Sequence, residues 1–355
     1  MKNSSSSRAV VYWLYTGMVM IVIQILLGGI TRLTGSGLSI TEWNVVTGAL
    51  PPLSDTQWLL EFEKYKTTPQ FRYLNFDFSI VDFKIIYFWE WFHRNWARLI
   101  GVVFAFPFLF FLWRGYFKPP MIKPLIVLFL FGALQGAIGW IMVASGLTGD
   151  AIYVKPARLA LHFMFALGLL CYTFWFALQL TVSSGEKVHN QALKKFLPWI
   201  LSLLFLQLIY GAFLAGHKAA TAAPTWPTIN QEWIPGGLFK PSDGSINWID
   251  NLIFLHFVHR GLAYLLLLTI LYYTAQLYKQ QGSPRFYQAR KWPAILVLLQ
   301  VLLGILSVLA STKIIPGQWG IFEWIAQLHQ LVAMLLLLSL VQLLFLISRK
   351  ALGTT

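Results

Sequence analysis

At 355 residues, 57% hydrophobic and only 11% charged, with a mean hydropathy of +0.63, the chain falls outside the composition of a soluble domain. Its formal charge of +14 does not indicate nucleic-acid binding, because the basic residues are dispersed over short loops between apolar runs and form no patch. The lone Cys171 excludes an intrachain disulfide or a thiol redox pair.

Windows able to cross a bilayer, about 20 apolar residues each, occur at 10–30, 86–113, 124–145, 158–181, 196–216, 252–277, 293–311 and 325–347. They predict an all-α integral membrane protein with eight transmembrane helices. The first run is too long for a signal-peptide core and has no small-residue cleavage site, so it reads as a retained helix. The start MKNSSSSR is a poor transit peptide, which points to a bacterial inner membrane.

An even number of spans puts both termini on one side. The termini and the loops after the second, fourth and sixth spans carry Lys2, Arg8, Arg114, Lys118, Lys123, Lys187, Lys194, Lys195, Lys279, Arg285, Arg290, Lys291, Arg349 and Lys350, against the single acid Glu186. The opposite loops hold Asp55, Glu61, Glu63, Asp77, Glu232, Asp243 and Asp250. The positive-inside rule therefore makes the termini cytoplasmic.

After the first span, residues 31–85 are too polar to cross. Within them WLLEFEKY predicts an amphipathic helix with Trp58, Leu59 and Phe62 on one face, placed to cover a site in the first half. The loop containing TWPTINQEWIPGG occupies the equivalent place in the second half.

The spans repeat one design. Each odd-numbered span carries Gln followed four residues later by Gly: Gln24/Gly28, Gln135/Gly139, Gln207/Gly211 and Gln300/Gly304. Small residues let helices approach and an amide can bond across them, so these pairs read as packing elements. Each even-numbered span carries a histidine near its outer end: His93, His162, His259 and His329. The first two are 69 residues apart and the last two 70. EWFHRNWARLIG aligns with HFVHRGLAYLLL. The chain therefore reads as a tandem duplication: a four-helix bundle at 1–190 and another at 191–355, related by a pseudo-two-fold axis along the membrane normal.

Four ionisable side chains at one depth are costly in hydrocarbon, which marks them as functional. Zinc or di-iron in a bundle would want carboxylates beside histidines on more than one helix. Here Glu90-x-x-His93 matches that pattern once, and its counterpart is His256-x-x-His259. Paired histidines among aromatic residues instead suit axial ligation of haem iron, His93 with His162 and His259 with His329. The other reading is of structural or transport histidines. Arg94, Arg98 and Arg260, with His256 one turn from His259, are the other cofactor-binding candidates, the arginines as partners of propionates. Glu90, standing where the second half has His256, suits acid–base chemistry in the first half. His189 and His217 read as solvated loop residues.

GGITRLTGSGLSITEW at 28–43, EWFHR at 90–94, LALHF at 159–163, APTWPTINQEWIPGG at 223–237, FVHRG at 257–261 and QLHQ at 327–330 together resemble the heme A synthases, membrane enzymes of cytochrome oxidase assembly. The resemblance covers nearly the whole chain. It implies an eight-helix oxidoreductase that converts a ring methyl group of heme O to a formyl group through an alcohol. By the same resemblance, His93 and His162 serve the substrate haem, His259 and His329 a resident haem b, and Glu90 turnover. Some members have a cysteine pair in an outer loop. This chain has none, which sets it with the cysteine-free mitochondrial and proteobacterial-like branch. Implied partners are heme O synthase, assembly factors of the oxidase and an electron acceptor that the sequence does not identify. Two rivals remain: a diheme cytochrome that carries electrons across the membrane, for which haems near both faces are expected, and a haem transporter or chaperone.

Overall fold

The computed structural model describes residues 2–44, 47–236, 238 and 248–348. Of the residues named above, Gly237, Asp243, Arg349 and Lys350 lie outside that set, as do the side chains of Lys2 and its neighbours up to residue 7. In chain order the helices are α1 (Lys2–Leu33), α2 (Asp55–Lys66), α3 (Pro69–Tyr73), α4 (Ile80–Trp113), α5 (Pro119–Ala144), α6 (Pro156–Thr181), α7 (Gln191–Gly216), α8 (Leu252–Tyr278), α9 (Pro284–Ala289), α10 (Trp292–Ala310) and α11 (Ile321–Leu346). Among the described residues, eight helical stretches are long and apolar enough to cross a membrane, and the protein is an all-α integral membrane protein. The other regular elements among the described residues are four short 3-10 helices, at Thr47–Ala49, Ser184–Glu186, Ala219–Ala222 and Ser311–Lys313, and a two-residue parallel pairing of β1 (Val188–His189) with β2 (Ile347–Ser348).

The second span starts earlier than its apolar window. Ser79 caps α4 and exchanges hydrogen bonds with Asp82, a capping box that sets the first turn at Ile80, six residues before the hydrophobic run begins. This added turn and a half carries Phe83, which with Ile86 and Tyr87 at the start of the apolar run packs with Phe62 and Tyr65 of α2. The amphipathic helix is thus present, but its buried face is Trp58, Phe62 and Tyr65, spaced i, i+4, i+7. Leu59, expected on that face, is 52% exposed. Burial lifts the Tyr65 phenol to about 12.

Two compact units divide the chain, residues 1–170 with 316–319 and residues 171–315 with 320–355. In the second, α7 packs on α8, α8 on α10, α10 along α11, and α11 back on α7, which closes a four-helix ring. In the first, α1 lies along α4, tied by the indoles of Trp13 and Trp96 donating to the carbonyls of Val103 and Met20 at 2.8 and 2.9 Å. The α5 helix meets α4 only sparsely. One unit is a closed bundle. The other is splayed.

Candidate haem-type ligand site

A ring as broad as imidazole reaches a neighbouring helix backbone only where the facing residue has no Cβ. All four span histidines use this device. A Cβ built on Gly28 would lie 3.2 Å from His93 Cε1, on Gly139 2.8 Å from His162 Cε1, on Gly211 3.1 Å from His259 Cε1 and on Gly304 3.2 Å from His329 Cε1. The glutamine one turn before each glycine faces the same ring. Gln24, Gln207 and Gln300 bring their amide nitrogens to 3.3, 3.3 and 3.2 Å from Nε2 of His93, His259 and His329. Gln135 differs: it donates to the His162 carbonyl at 3.0 Å and lies 3.2 and 3.4 Å from the two ring nitrogens. The Gln/Gly pairs are therefore the seats of the histidines, a role that reading them as packing elements missed. Their matching to the histidines span for span was the available signal.

The Nδ1 atoms of His93, His259 and His329 are buried and have no hydrogen-bond partner. The Oε1 atoms of Gln24, Gln207 and Gln300 are also without a partner, so turning each amide to accept from Nε2–H would satisfy the glutamine and leave the Nδ1 lone pair for a ligand. His93 and His162 belong to one compact unit, and His259 and His329 to the other. No group of three or more His, Cys, Asp or Glu converges among the described residues. A bare zinc ion wants three or four protein ligands. A metal already held in the plane of a macrocycle needs only axial ones, and two imidazoles are what a haem-type group would use.

Glu90 is 2% exposed and fully engaged. Its Oε2 accepts from Ser39 Oγ at 2.7 Å and from the Ile40 amide at 2.8 Å, and its Oε1 from Arg94 Nη2 at 2.5 Å. Arg94 also donates to the carbonyls of Ile40 and Glu42, at 3.1 and 3.2 Å, and its guanidinium lies 5.5 Å from the Trp43 ring centre. Arg98 donates to the Asn44 carbonyl at 2.8 Å. From α2, Lys64 reaches Glu42 at 3.1 Å, and its hydrogen bond holds the Glu42 carboxyl below its ordinary value. Residues 39–44 thus form a strap fastened across the N-terminal part of α4.

The second unit repeats the arrangement with opposite hydrogen-bond polarity. His256 Nε2 lies 2.8 Å from the Ala219 carbonyl, and Arg260 donates to the carbonyls of Ala223, Thr225 and Thr228 at 2.6, 2.8 and 3.1 Å. Glu90 accepts hydrogen bonds from strap donors, whereas His256 donates one to a backbone acceptor. Arg260 Nε is buried without a partner, a donor left over for a carboxylate. Of the two loop histidines, His189 is exposed. His217 is not solvated as expected: its Nε2 lies 2.8 Å from the Ile249 carbonyl and 3.3 Å from Asp250.

The model of the cytochrome oxidase assembly protein family matches residues 11–341. The chain is 39% identical over 308 residues to the heme A synthase of Parvibaculum lavamentivorans, covering 87% of this chain and 88% of that one. It is 40% identical over 312 residues to that of Rhodospirillum centenum, covering 87% and 83%. With the heme A synthase of Flavobacterium johnsoniae it shares 37% identity over 335 residues, covering 93% and 95%.

Proposed function

The chain belongs to the cytochrome oxidase assembly protein family, and from that premise we propose that it is a heme A synthase, a haem-dependent oxidoreductase of oxidase assembly. It oxidises a ring methyl group of heme O to a formyl group through an alcohol. The observation that supports the reading is four imidazoles seated alike, two in each of two units of unlike closure.

A substrate has to enter and leave, which suits His93 and His162 in the splayed first unit. A resident group should stay, which suits His259 and His329 in the closed ring, with haem b the group proposed there. When bound, that haem supplies one-electron redox chemistry. The chain's own residues orient and enclose. The glycine seats fix the imidazole planes, and the glutamine amides hold their rotation. Arg260 keeps its Nε for a propionate, whereas Arg94 and Arg98 of the first unit are bonded to Glu90 and the strap carbonyls and would have to share those bonds with one. Glu90 stands one turn from His93, where a carboxylate can take a proton from a reacting group, but only by loosening its hold on Ser39, Ile40 and Arg94. Proton transfer and strap position are thereby linked.

The assignment of 1–190 to the substrate haem and 191–355 to haem b forms part of this reading. So do cytoplasmic termini, haem sites near the outer face of a bacterial inner membrane, and delivery of heme O by its synthase. The test is extraction and chromatography of haems from membranes of a host that makes heme O. Wild type should yield haem b and heme A, with Glu90→Ala accumulating heme O or the alcohol. Haem b alone in both would make the protein an electron carrier and overturn the reading.

A further inference from the structure

A cavity of about 250 Å³ opens between the strap and the outer end of α5, with Ile40 and Trp43 on one wall and Trp140, Val143, Ala144 and Leu147 on the other. Arg94 stands at its edge. Neither imidazole lines the cavity, but helix neighbours of both mounts do. Arg94 follows His93, while Val143 lies one turn beyond Gly139, the seat of His162, on the same helix face. The Ile40 amide that closes the strap wall is bonded to Glu90. Trp43 and Trp140 face each other with ring centres 6.4 Å apart, and each remains close to half exposed.

We propose that this cavity receives a long apolar substituent carried on the edge of the substrate ring. The proposal rests on the heme A synthase reading, since heme O bears such an isoprenoid chain and protohaem does not. The size suits it. Drug-sized ligands usually fill about 300–1,000 Å³, so the space is too small for a tetrapyrrole yet large enough for a stretch of hydrocarbon. The lining is mostly apolar and aromatic, with Thr41, Glu42 and Thr148 its polar members, and the one cation at the rim has its charge met by Glu90. The strap side of the wall is held in place by the Glu90–Arg94 pair, so Trp43 acts as a flap over the chain. Specificity for the substituted ring then lies beside the imidazoles and not in them.

The test is a titration of heme O and of protohaem into full-length protein whose second-unit site has first been filled with protohaem, read by the low-spin absorption of the newly bound haem. Wild type should prefer heme O. Ala144→Trp fills the cavity and should weaken heme O on the order of tenfold, the effect of displacing about two methylenes, while protohaem binds as before. Leu147→Phe, a smaller intrusion, should shift the preference in the same direction, and it carries the test if Ala144→Trp fails to hold the second-unit haem. Unchanged preference in Leu147→Phe, or equal weakening of both haems, overturns the assignment. If wild type converts heme O to heme A yet the fillers leave its preference intact, only the cavity assignment falls. If wild type makes no heme A, the enzymatic reading falls with it.

Discussion

Gly139 leaves His162 so little room that a Cβ at that position would sit 2.8 Å from the imidazole Cε1, the tightest of the four seats. The backbone of α5 is in effect part of the ligand's mounting.

Gly139→Ala should therefore push His162 out of its place. Overpacking of this kind costs about 1–3 kcal/mol, so retention of heme O at the first site should fall roughly tenfold or more, with heme A production falling alongside. The haem of the second unit should keep its spectrum. Gly304→Ala, where the approach is 3.2 Å, should have the milder effect at the other site. Absorption spectra of the two purified variants, with extracted haems counted, make the comparison.

Arg94→Lys separates two roles for Glu90. Lysine keeps the charge beside the carboxylate but cannot reach Glu90, Ile40 and Glu42 at once as the guanidinium fork does. If Glu90 works through the strap, Arg94→Lys should lower heme A formation about as much as Glu90→Gln, and hydrogen exchange across 39–44 should rise in both. Normal turnover in Arg94→Lys with a dead Glu90→Gln would assign Glu90 to proton transfer alone. Removing one partner of such a buried pair typically costs about 3–5 kcal/mol, so Glu90→Ala should also lower the thermal midpoint.

The strap should loosen in acid. Glu42 is held below its ordinary value of 4.5 by the hydrogen bond and charge of Lys64. A carboxyl depressed in the folded state contributes stability that is present above 4.5 and lost as pH falls through the lower folded value. Both side chains are partly solvated, so the effect is small and local. Limited proteolysis within 39–44 should increase below that range in wild type, and Glu42→Gln should show the loosened pattern already at neutral pH.

Haem removal should distinguish the units. On detergent extraction and prolonged dialysis, the haem of the closed ring should remain and that of the splayed unit should wash out, leaving roughly one low-spin haem per chain. His259→Ala or His329→Ala should abolish the retained haem, whereas His93→Ala should not. A washed wild type that keeps haem only through His93 would reverse the assignment of the two sites.

Much of this was readable in the sequence because its causes are local or periodic. Twenty apolar residues make a span wherever they fall, and the spacing of His93 to His162 is nearly that of His259 to His329. Contacts between distant segments were not readable. Ser39 meets Glu90 across 51 residues, and Ala219 meets His256 across 37. The contrast of Glu90 with His256 therefore looked like chemistry against its absence, when it is also two ways of fastening a strap. Leu59 was misplaced because α2 turns its i, i+4, i+7 row of rings toward α4. The unlike closure of the units left no trace in composition, since the spans of both are similarly apolar.

The four Gln–Gly–His sets have a consequence for how such a chain can diversify. Each set buries an imidazole by the same means on a different pair of helices, so that part of the molecule is a standard fitting, already present in duplicate in each half. Novelty is then cheapest one turn before the histidine, at Glu90 of α4 and His256 of α8, where a carboxylate can stand in place of an imidazole without disturbing any grip on a ring. The two halves are free to become different instruments while sharing one set of mounts.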